Sequence, residues 1–453
     1  MGRRRGMTKE LAAALRDNKL DEITVILQRL LPYDQAEVIR RLTPAQRLQI
    51  FAVAPTALAA DIFQELEREE QIRLLTAMGP EKAAPLLGEM SSDDTADLLG
   101  ELEPEHRRQL LSQMGREQAE ELRALLAYPE QTAGGIMTTE YVALAAGLTV
   151  EQAFAKLRRV SQEAETIYYL YVVDEEGRLV GVLSVRDLIL AEPTARLRTI
   201  MIRDVVAAGV DMDQEMVARM IEQYDLLAVP VVDDRGVLVG IVTVDDVIDV
   251  ITDEATEDIS RLSALSGPVS GVDDLRVGAL PAARKRLPWL MSLLVIGLFA
   301  ANLIAQFEET LERVVVLAVF IPLIADMAGN TGTQSLAVVV RGLALGKFKA
   351  GEIVRLLRRE VGVGLILGSV NGVLIALIAA VWQQSVALGF VIGFSLWLVL
   401  IVATVVGAFV PLILDRLRVD PAVASGPFIT TVNDIVGLSI YFFTATEMMG
   451  FLI

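Results

Sequence analysis

The chain has 453 residues, of which 53% are hydrophobic, yet its formal net charge is −18. Such an acidic balance argues against nucleic acid as a partner, because binding phosphate requires clustered Lys and Arg. The chain has no cysteine and one histidine, His106, which excludes thiolate sites and disulfides and argues against a zinc site or a Ser-His-Asp triad. Any bound metal should therefore have oxygen ligands, which favours Mg²⁺, Ca²⁺ or Mn²⁺.

Charge and apolar residues are divided between two parts of the chain, a charge-rich part up to residue 286 and an apolar part after it. This division predicts a multi-domain membrane protein. No apolar segment follows the basic N-terminus, so we expect no signal peptide and a cytosolic N-terminal half. The predicted domains are an all-α superhelical domain (1–130), an α/β tandem pair (131–250), an acidic connecting helix with a linker (251–283) and a five-helix transmembrane domain (284–453).

Residues 8–127 repeat short segments in which Leu and Ala recur at helical spacing. Thr43-Pro44 and Ser91-Ser92-Asp93 are typical of helix starts. The repetition predicts a small superhelix of stacked short helices. Most acidic residues of this domain are expected on solvated faces.

Residues 133–258 carry a duplicated strand–helix pattern. YVVDEEGRLVGVLSVRDLIL (171–190) aligns with PVVDDRGVLVGIVTVDDVID (230–249), and ten of the twenty positions are identical. Each copy contains a strand, an Asp-x-x-Gly turn, a second strand and a Ser/Thr-x-x-Asp sequence that begins a helix. The turn glycines, Gly177 and Gly236, permit positive φ in a hairpin.

This duplication resembles a tandem pair of CBS domains. The resemblance implies a module that senses ligands, often adenine nucleotides, and does not catalyse. Ser184, Asp187, Thr243 and Asp246 match the positions that hold ribose or phosphate in nucleotide-binding members. The same residues also suit helix N-caps, and both interpretations stay open.

The segment from Asp245 to Asp258 is acidic and contains no basic residue. Four of its acids share one helix face at spacings of three and four: Asp246, Asp249, Asp253 and Glu257. Like charges so spaced destabilise a helix by a few tenths of a kcal/mol per pair, and Mg²⁺ would remove that repulsion. A solvated acidic face is the alternative. The position of the helix, directly before the membrane part, favours the metal interpretation.

Five apolar segments have the length of about 20 residues that a bilayer requires: 287–307, 313–341, 361–382, 387–412 and 425–450. Basic residues cluster on one side of these segments: Arg284, Lys285, Arg286, Arg341, Lys347, Lys349, Arg355, Arg358, Arg359, Arg416 and Arg418. The positive-inside rule then predicts a multi-pass protein of the plasma membrane with a cytosolic N-terminus and an external C-terminus.

The second predicted span contains a polar patch, IPLIADMAGNTGTQS (321–335). Polar groups at membrane depth are tolerated mainly where they line water or pack inside protein. Small-residue helix packing is the alternative, but glycine alone would serve it. We therefore predict pore-lining positions here: Asp326, Gly329, Asn330, Thr333 and Gln334. Two roles stay open for Asp326, which lines the pathway or pairs with a polar neighbour.

Asp434 is the only charged residue between Pro421 and Thr446. A carboxylate at this depth costs about 2.5–3.5 kcal/mol on insertion scales, which a cation in a wet pathway would offset. A protonated or hydrogen-bonded aspartate in a helix contact is the alternative. We expect Asp434 to bind a cation and the adjacent Asn433 to line the pathway.

The order of domains, together with G-N-T-G-T-Q-S and T-T-V-N-D-I-V-G, resembles the MgtE family of magnesium channels along nearly the whole chain. The resemblance implies a homodimer with a pore on its axis, lined by the second and fifth spans. It implies that Asp434 holds hydrated Mg²⁺, with the carbonyl of Thr430 as a companion. It also implies a set of Mg²⁺-sensing acids: Asp61, Asp93, Asp97, Asp213, Glu215, Asp225, Asp246, Asp249, Glu254, Glu257 and Asp258.

The sequence therefore predicts a Mg²⁺ channel that closes when cytosolic Mg²⁺ binds the acids, with ATP as a modulatory ligand of the CBS pair. An enzyme is not expected, because the sequence lacks a nucleophile–base pair and a phosphate-binding loop. One rival is a coupled transporter of another solute, with Asp434 or Asp326 as a proton or sodium site. A second rival is a CBS-based membrane sensor whose spans only anchor it.

Overall fold

The computed structural model describes residues 10–11, 13–15, 20–160, 164, 166–264, 278–344 and 352–451. The chain divides into two compact units, Met1–Ile251 and Thr252–Ile453. The basic residues Lys347 and Lys349, used above to predict orientation, lie outside the described residues, as does most of the predicted linker.

Short helices fill the first part of unit one. They are α1 (Leu20–Leu27), α2 (Pro32–Ile39), α3 (Pro44–Val53), α4 (Thr56–Gln64), α5 (Arg68–Met78), α6 (Pro80–Leu87), α7 (Ser92–Glu101), α8 (Pro104–Gln113) and α9 (Arg116–Leu125). Several begin with proline, which suits the first helical position because its missing N–H has no intrahelical partner there. At Thr43, the side chain and that of Gln46 form the reciprocal capping box.

From α2 onward, each of these helices packs on the helix two positions later in the chain, so α2, α4, α6 and α8 form one row and α3, α5, α7 and α9 another. The apolar positions of both rows enter one core, with Ile39, Phe63, Leu87 and Leu98 fully buried. Helices too short to be stable alone are thus stabilised by tertiary packing.

The rest of unit one contains two similar three-stranded sheets. Its elements are β1 (Ala143–Ala145), α10 (Val150–Val160), β2 (Tyr169–Val173), β3 (Leu179–Ser184), α11 (Val185–Leu190), α12 (Leu197–Ile200), β4 (Ala208–Gly209), α13 (Gln214–Tyr224), β5 (Ala228–Val232) and β6 (Leu238–Thr243). In each sheet the first two strands are parallel and the last two antiparallel. The strand order is β1-β2-β3 in one sheet and β4-β5-β6 in the other.

The two repeats exchange hydrogen bonds at their hairpin turns. Leu179 N donates to Gly236 O at 3.0 Å, and Leu238 N donates to Gly177 O at 3.1 Å. Both glycines have positive φ, 81° and 78°, as the turn pattern predicts. The duplicated sequence therefore forms a pair of repeats related by local pseudo-symmetry.

Helix α14 (Val244–Leu262) contains the acidic segment. The predicted connecting helix begins at 251, but the helix in the structure starts earlier, directly after β6. No glycine or proline interrupts the chain between Val244 and Leu262, so one helix continues through the predicted boundary.

Unit two contains the long helices α15 (Ala279–Gln306), α17 (Leu317–Ala344), α18 (Glu352–Gln383), α19 (Val386–Arg416) and α20 (Gly426–Glu447), with the short charged helix α16 (Glu308–Arg313) between α15 and α17. Short 3₁₀ turns lie at Pro421–Val423 and Met449–Phe451. Four of the described helices, α15, α18, α19 and α20, are long and apolar enough to cross a membrane.

Helix α17 matches the second predicted span in position but is not among those four. Its polar residues between Asp326 and Ser335 lower its mean hydropathy. Helix α18 starts at Glu352, not at 361 as predicted, because charged residues continue the helix beyond the apolar segment. Helix α15 starts eight residues before the first predicted span, and the bounds of the other three predicted spans differ from those of the helices by one to four residues.

Glycines bring the long helices of unit two into close contact. A Cβ atom at Gly407 of α19 would overlap the carbonyl oxygen of Gly332 on α17. On α18, a Cβ at Gly364 would lie 2.6 Å from the Oγ1 of Thr404, and one at Gly368 would lie 2.9 Å from the carbonyl oxygen of Trp397. The backbones of α17, α18 and α19 therefore approach as closely as small residues permit.

Candidate metal centres

The first candidate centre lies between α17 and α20. Asp434 is on the face of α20 that packs on α17, and a Cβ atom at Gly329 would be 3.4 Å from Asp434 Oδ1. This oxygen is buried and accepts no hydrogen bond from the described residues. An unpaired buried carboxylate oxygen is costly, and a bound cation would satisfy it. The alternative, an aspartate held by hydrogen bonds in a helix contact, therefore finds no such bond at Oδ1 among the described residues.

Two threonines lie beside Asp434. Thr333 Oγ1 donates to the carbonyl oxygen of Gly329 at 2.8 Å and lies 3.3 Å from Thr430 Oγ1. Thr430 is one turn before Asp434 on α20, so the structure brings three predicted site residues together. Their hydroxyl and carboxylate oxygens are the donor type that Mg²⁺ prefers.

Asn433 lies one step around the helix from Asp434. Its side chain is 1% exposed, and a Cβ atom at Gly332 would overlap its Nδ2. Both its Oδ1 and its Nδ2 lack partners among the described residues. Within one protomer, Asn433 is thus packed against α17.

One surface of α17 carries a polar stripe, formed by Asp326, Asn330 and Gln334. These side chains follow each other at four-residue spacing and are exposed in the protomer. A polar stripe on a helix of an apolar bundle needs water or protein in front of it, since lipid cannot satisfy it.

The second candidate centre lies in unit one, where α7 meets the second repeat. Ser92 Oγ is 3.3 Å from Thr138 Oγ1 and 2.9 Å from Thr139 Oγ1, and Ser92 N donates to Glu140 Oε1 at 3.1 Å. These bonds hold the N-terminus of α7 against the segment before β1. Asp93 is therefore brought towards Asp246 of α14.

Burial and the charges of neighbouring aspartates raise the pKa of both carboxyls. Burial first, and then the charge of Asp94, raise the pKa of Asp93 to about 6. Burial first, and then the charge of Asp93, raise the pKa of Asp246 to about 8, although a hydrogen bond from Thr243 opposes this. Asp93 Oδ1 is also buried without a hydrogen-bond partner among the described residues. We call Asp93, Asp94 and Asp246 the acidic cluster.

Asp97 lies one turn along α7 from the acidic cluster. Burial raises its pKa to about 7, while Arg68 opposes that rise. Its side chain is nevertheless 46% exposed, with Oδ2 3.6 Å from Arg68 Nη2. Water screens Asp97 on that exposed side, so Asp93 and Asp246 define the centre.

The acidic cluster does not form a closed metal cage in this structure. No group of three or more acidic or histidine side chains among the described residues is arranged to hold one ion. Like charges keep such carboxylates apart. The orphaned oxygen of Asp93 and the oxygen-rich surroundings nevertheless fit a hard cation.

The other predicted sensing acids are more dispersed. Asp213 caps α13 by accepting from Glu215 N at 2.9 Å, and Glu215 pairs with Arg219 at 2.6 Å. Asp225 ends that helix in the left-handed conformation, with φ 51°. Several of the remaining acids are exposed: Asp61, Asp249 and Asp253. Three others are half-buried on α14: Glu254, Glu257 and Asp258.

The predicted nucleotide-binding residues form helix-capping contacts. Ser184 accepts from Asp187 N at 3.1 Å, and its Oγ donates to the Asp187 carboxylate at 2.5 Å. Thr243 Oγ1 donates to the Asp246 carboxylate. The cap interpretation thus accounts for these hydrogen bonds.

Sequence reasoning missed an ionic contact of the connecting helix. Arg261 near the end of α14 pairs with Glu257 on its own helix and with Asp420 before α20. Next to it, Leu262 packs in a small apolar cluster at the ends of α17 and α20: Leu336, Val340, Ala424 and Ile429. The i, i+4 spacing of Glu257 and Arg261 was visible in the sequence, but their approach to Asp420 was not.

Comparison with known proteins adds to this geometry. Residues 321–444 match the family described as MgtE, divalent cation transporter, residues 30–131 match the MgtE intracellular N domain, and residues 133–193 and 197–253 match CBS domains. The magnesium transporter MgtE of Bacillus subtilis (strain 168) is 45% identical over 436 residues, 96% of each chain. That of Enterococcus faecalis (strain ATCC 700802 / V583) is 46% identical over 445 residues, covering 98% of this chain and 97% of the relative.

Two solved structures resemble the N-terminal part. One is the soluble part of a magnesium transporter, with a TM-score of 0.53 and 39% identity, covering 56% of this chain and 99% of that one. The other is the cytosolic domain of the Mg²⁺ channel MgtE in complex with ATP, with a TM-score of 0.51 and 42% identity, covering 54% of this chain and 99% of that one.

Proposed function

The chain belongs to the MgtE family of divalent cation transporters, and from this premise we propose that it conducts Mg²⁺ into the cell across the plasma membrane. Asp434 would bind the ion in the pathway. The relatives named magnesium transporter are similar to this chain over nearly its whole length, which supports Mg²⁺ as the transported ion.

The observation that carries this proposal is the polar stripe of α17. Asp326, Asn330 and Gln334 are exposed on a protomer whose neighbouring helices are strongly apolar. Carboxylate and amide groups at membrane depth mark ion pathways because lipid offers them no hydrogen bonds. A helix that only anchored the chain would need no such stripe, which counts against the membrane-sensor rival.

The chemistry of Mg²⁺ fits one carboxylate per protomer. Mg²⁺ dehydrates reluctantly and keeps several waters when bound. In a homodimer, two copies of Asp434 across a two-fold axis would attract the hydrated ion without removing its water. Thr430 and Thr333 would hydrogen-bond to that water. Entry would follow the inside-negative membrane potential, worth about 2.3 kcal/mol per charge for each 100 mV.

Five spans and a cytosolic N-terminus belong to this proposal. Helix α17 is 28 residues long, enough to cross a bilayer despite its polar residues. With α17 counted, the basic residues at the ends of α15, α17, α18 and α19 fall on one side, which the positive-inside rule places in the cytosol.

Regulation by cytosolic Mg²⁺ is the second part of the proposal. In the acidic cluster, burial and the charges of neighbouring aspartates raise the pKa of Asp93 and of Asp246. Cation binding there would relieve the repulsion. Reversing a 1:99 population requires about 5.5 kcal/mol, and a site filled to ten times its dissociation constant supplies about 1.4 kcal/mol. About four weak sites would therefore close the pathway.

The end of α14 supplies a mechanical link to the pathway helices. Arg261 pairs with Asp420, and Leu262 packs on residues of α17 and α20, the two helices that carry the polar stripe and Asp434. A change in the position of α14 would therefore be transmitted to both helices through direct contacts.

ATP is proposed as a modulatory ligand of the CBS pair. The similar cytosolic domain solved with ATP supports this part of the proposal. Ser184, Asp187 and Thr243 would exchange some of their capping bonds for ribose or phosphate contacts. Nucleotide binding here requires no hydrolysis, in keeping with a transporter that is not an enzyme.

Cysteine accessibility tests the exposed stripe directly, because the natural chain has no cysteine. Asn330→Cys and Gln334→Cys are placed singly in the full chain in liposomes, with Ile366→Cys, an exposed apolar position of α18, as the matched control. We expect a membrane-impermeant thiol reagent to modify the first two and not the control, and Mg²⁺ to slow the reaction. Stripe cysteines that react no faster than the control would refute a water-filled pathway along α17.

A further inference from the structure

Glu360 is a buried carboxyl group in the membrane unit that the mechanism above does not use. It lies on α18 and is 3% exposed. The buried residues of α18 follow one another mainly at four-residue spacing, and the others are small or apolar: Leu356, Gly364, Gly368, Gly372, Ile375 and Ala379. Glu360 is the exception in this row, because helix packing alone does not require a carboxyl group there.

The partner of Glu360 is on the pathway helix. Ser335 Oγ on α17 donates to Glu360 Oε2 at 2.8 Å, and Ser335 is itself 5% exposed. Ser335 directly follows Gln334, the last member of the polar stripe. Successive residues of a helix are about 100° apart, so Ser335 turns inward where Gln334 turns outward.

Close backbone contacts give this hydrogen bond little freedom. Gly332 of α17, one turn before Ser335, contacts Gly407 of α19 with no room for a Cβ atom. Gly364 of α18, one turn after Glu360, contacts the Thr404 side chain in the same way. The short serine side chain can reach the carboxyl group only while α17 keeps its rotation about its own axis.

We propose that Glu360 is a positioning residue for the cation pathway. Through Ser335 it fixes the rotation of α17, and so directs the polar stripe of Asp326, Asn330 and Gln334 towards the pathway. This inference rests on the proposed function, which makes that stripe the wall of the pathway. Glu360 itself is too deeply buried to contact the ion.

An apolar replacement separates this role from simple packing. Removing one partner of a buried polar pair is costly, because the other is left unsatisfied, whereas replacing both by apolar groups can be nearly neutral for stability. The variants are therefore Ser335→Ala, Glu360→Met, the double variant of both, and Glu360→Gln, which keeps an acceptor oxygen. Glu312→Met, at an exposed acid of α16, is the control.

The full chain is used for each variant. The melting temperature in detergent and the maximal rate of Mg²⁺ uptake into liposomes are measured together. In the background of Asn330→Cys, the rate of modification by an impermeant thiol reagent reports the rotation of α17. The last readout would not move if Glu360 only contributed stability.

We expect Glu360→Gln to keep uptake within about twofold of wild type. The double variant should keep the wild-type melting temperature but lose about tenfold in maximal uptake, since small misplacements of positioned groups have large effects on rate. In the Asn330→Cys background, the double variant should also react more slowly with the impermeant thiol reagent. The control should match wild type in all three measurements.

Three results would overturn the inference. Normal uptake by the double variant at normal stability would show that Glu360 only packs. Loss of uptake in Glu360→Gln equal to that in Glu360→Met would show that the charge, not the hydrogen bond, matters. Absence of uptake by the wild-type chain would overturn the proposed function and this inference with it, so the two failures are distinguishable.

Discussion

Asp434 Oδ1 lies buried against Gly329 of the neighbouring helix, so close that a Cβ atom there would be 3.4 Å away. The same Cβ would be 2.6 Å from Thr430 Cγ2. A glycine at position 329 therefore lets α17 and α20 approach until a carboxylate oxygen and two threonine hydroxyls are neighbours. The candidate pathway depends on small residues as much as on charged ones.

Gly407→Ala tests this dependence on small residues. The added Cβ would overlap the carbonyl oxygen of Gly332, a backbone atom that cannot turn away. Overpacking of this kind costs about 1–3 kcal/mol, so we expect a lower melting temperature and reduced Mg²⁺ uptake. Gly362→Ala is the matched control, because nothing lies within 4 Å of its Cβ. Equal effects of the two substitutions would argue against close packing of α17 on α19.

The acidic cluster predicts a pH-dependent stability. The folded-state pKa values of Asp93 and Asp246, about 6 and about 8, lie above 3.8, the ordinary value for an aspartate side chain. The folded chain therefore binds more protons than the unfolded chain between pH 4 and 8, so the free energy of unfolding falls as pH rises through this range. Without Mg²⁺, we expect a lower melting temperature at pH 8 than at pH 5.5.

Mg²⁺ should reverse this pH effect, because it competes with protons for the same carboxylates. Addition of Mg²⁺ should raise the melting temperature of the full chain by several degrees at pH 8 and by less at pH 5.5. Asp93→Asn with Asp246→Asn should abolish the difference, and Asp211→Asn, an exposed acid, should preserve it. If the effect of Mg²⁺ on the melting temperature still depends on pH in the double variant, groups other than Asp93 and Asp246 cause that dependence.

Replacing Asp246, Asp249 and Glu257 together by Ala tests regulation separately from conduction. We expect Mg²⁺ uptake by this variant to become insensitive to Mg²⁺ on the cytosolic face, because the repulsion that Mg²⁺ relieves is gone. Uptake at low cytosolic Mg²⁺ should stay close to wild type. Inhibition of the variant at the same Mg²⁺ concentration as wild type would show that these acids do not sense Mg²⁺.

Arg261→Gln tests the link between α14 and the pathway helices. The change removes the pairs with Glu257 and Asp420. Partly exposed ion pairs contribute about 0.5–1 kcal/mol to the conformation that contains them. The cytosolic Mg²⁺ concentration that inhibits uptake by half should therefore change by about two- to fivefold. Arg313→Gln removes an exposed pair with Glu309 elsewhere in the unit and should leave that concentration unchanged. An unchanged concentration in Arg261→Gln would exclude this ionic link from gating.

The sequence predicted features that depend on local order. The duplicated segments formed two equivalent sheets, and Gly177 and Gly236 adopted positive φ because their turns require it. The contact of Arg261 with Asp420 was not predictable, since nothing local relates residues so far apart in the chain. The burial of Glu360 was not predictable for a different reason. Because Glu360 follows Arg358 and Arg359, it resembled part of a solvated charged segment. Only its spacing of four from Gly364 indicated a buried face.

Mg²⁺ uptake into liposomes that contain the purified full chain tests the central claim most directly. A membrane potential is applied without a proton gradient, and wild type is compared with Asp434→Asn and with Asp415→Asn, an exposed acid near the end of α19. We expect potential-driven uptake by wild type and Asp415→Asn, and its loss in Asp434→Asn. Uptake that persists in Asp434→Asn, or that requires a proton gradient in wild type, would contradict a Mg²⁺ channel in which Asp434 binds the ion.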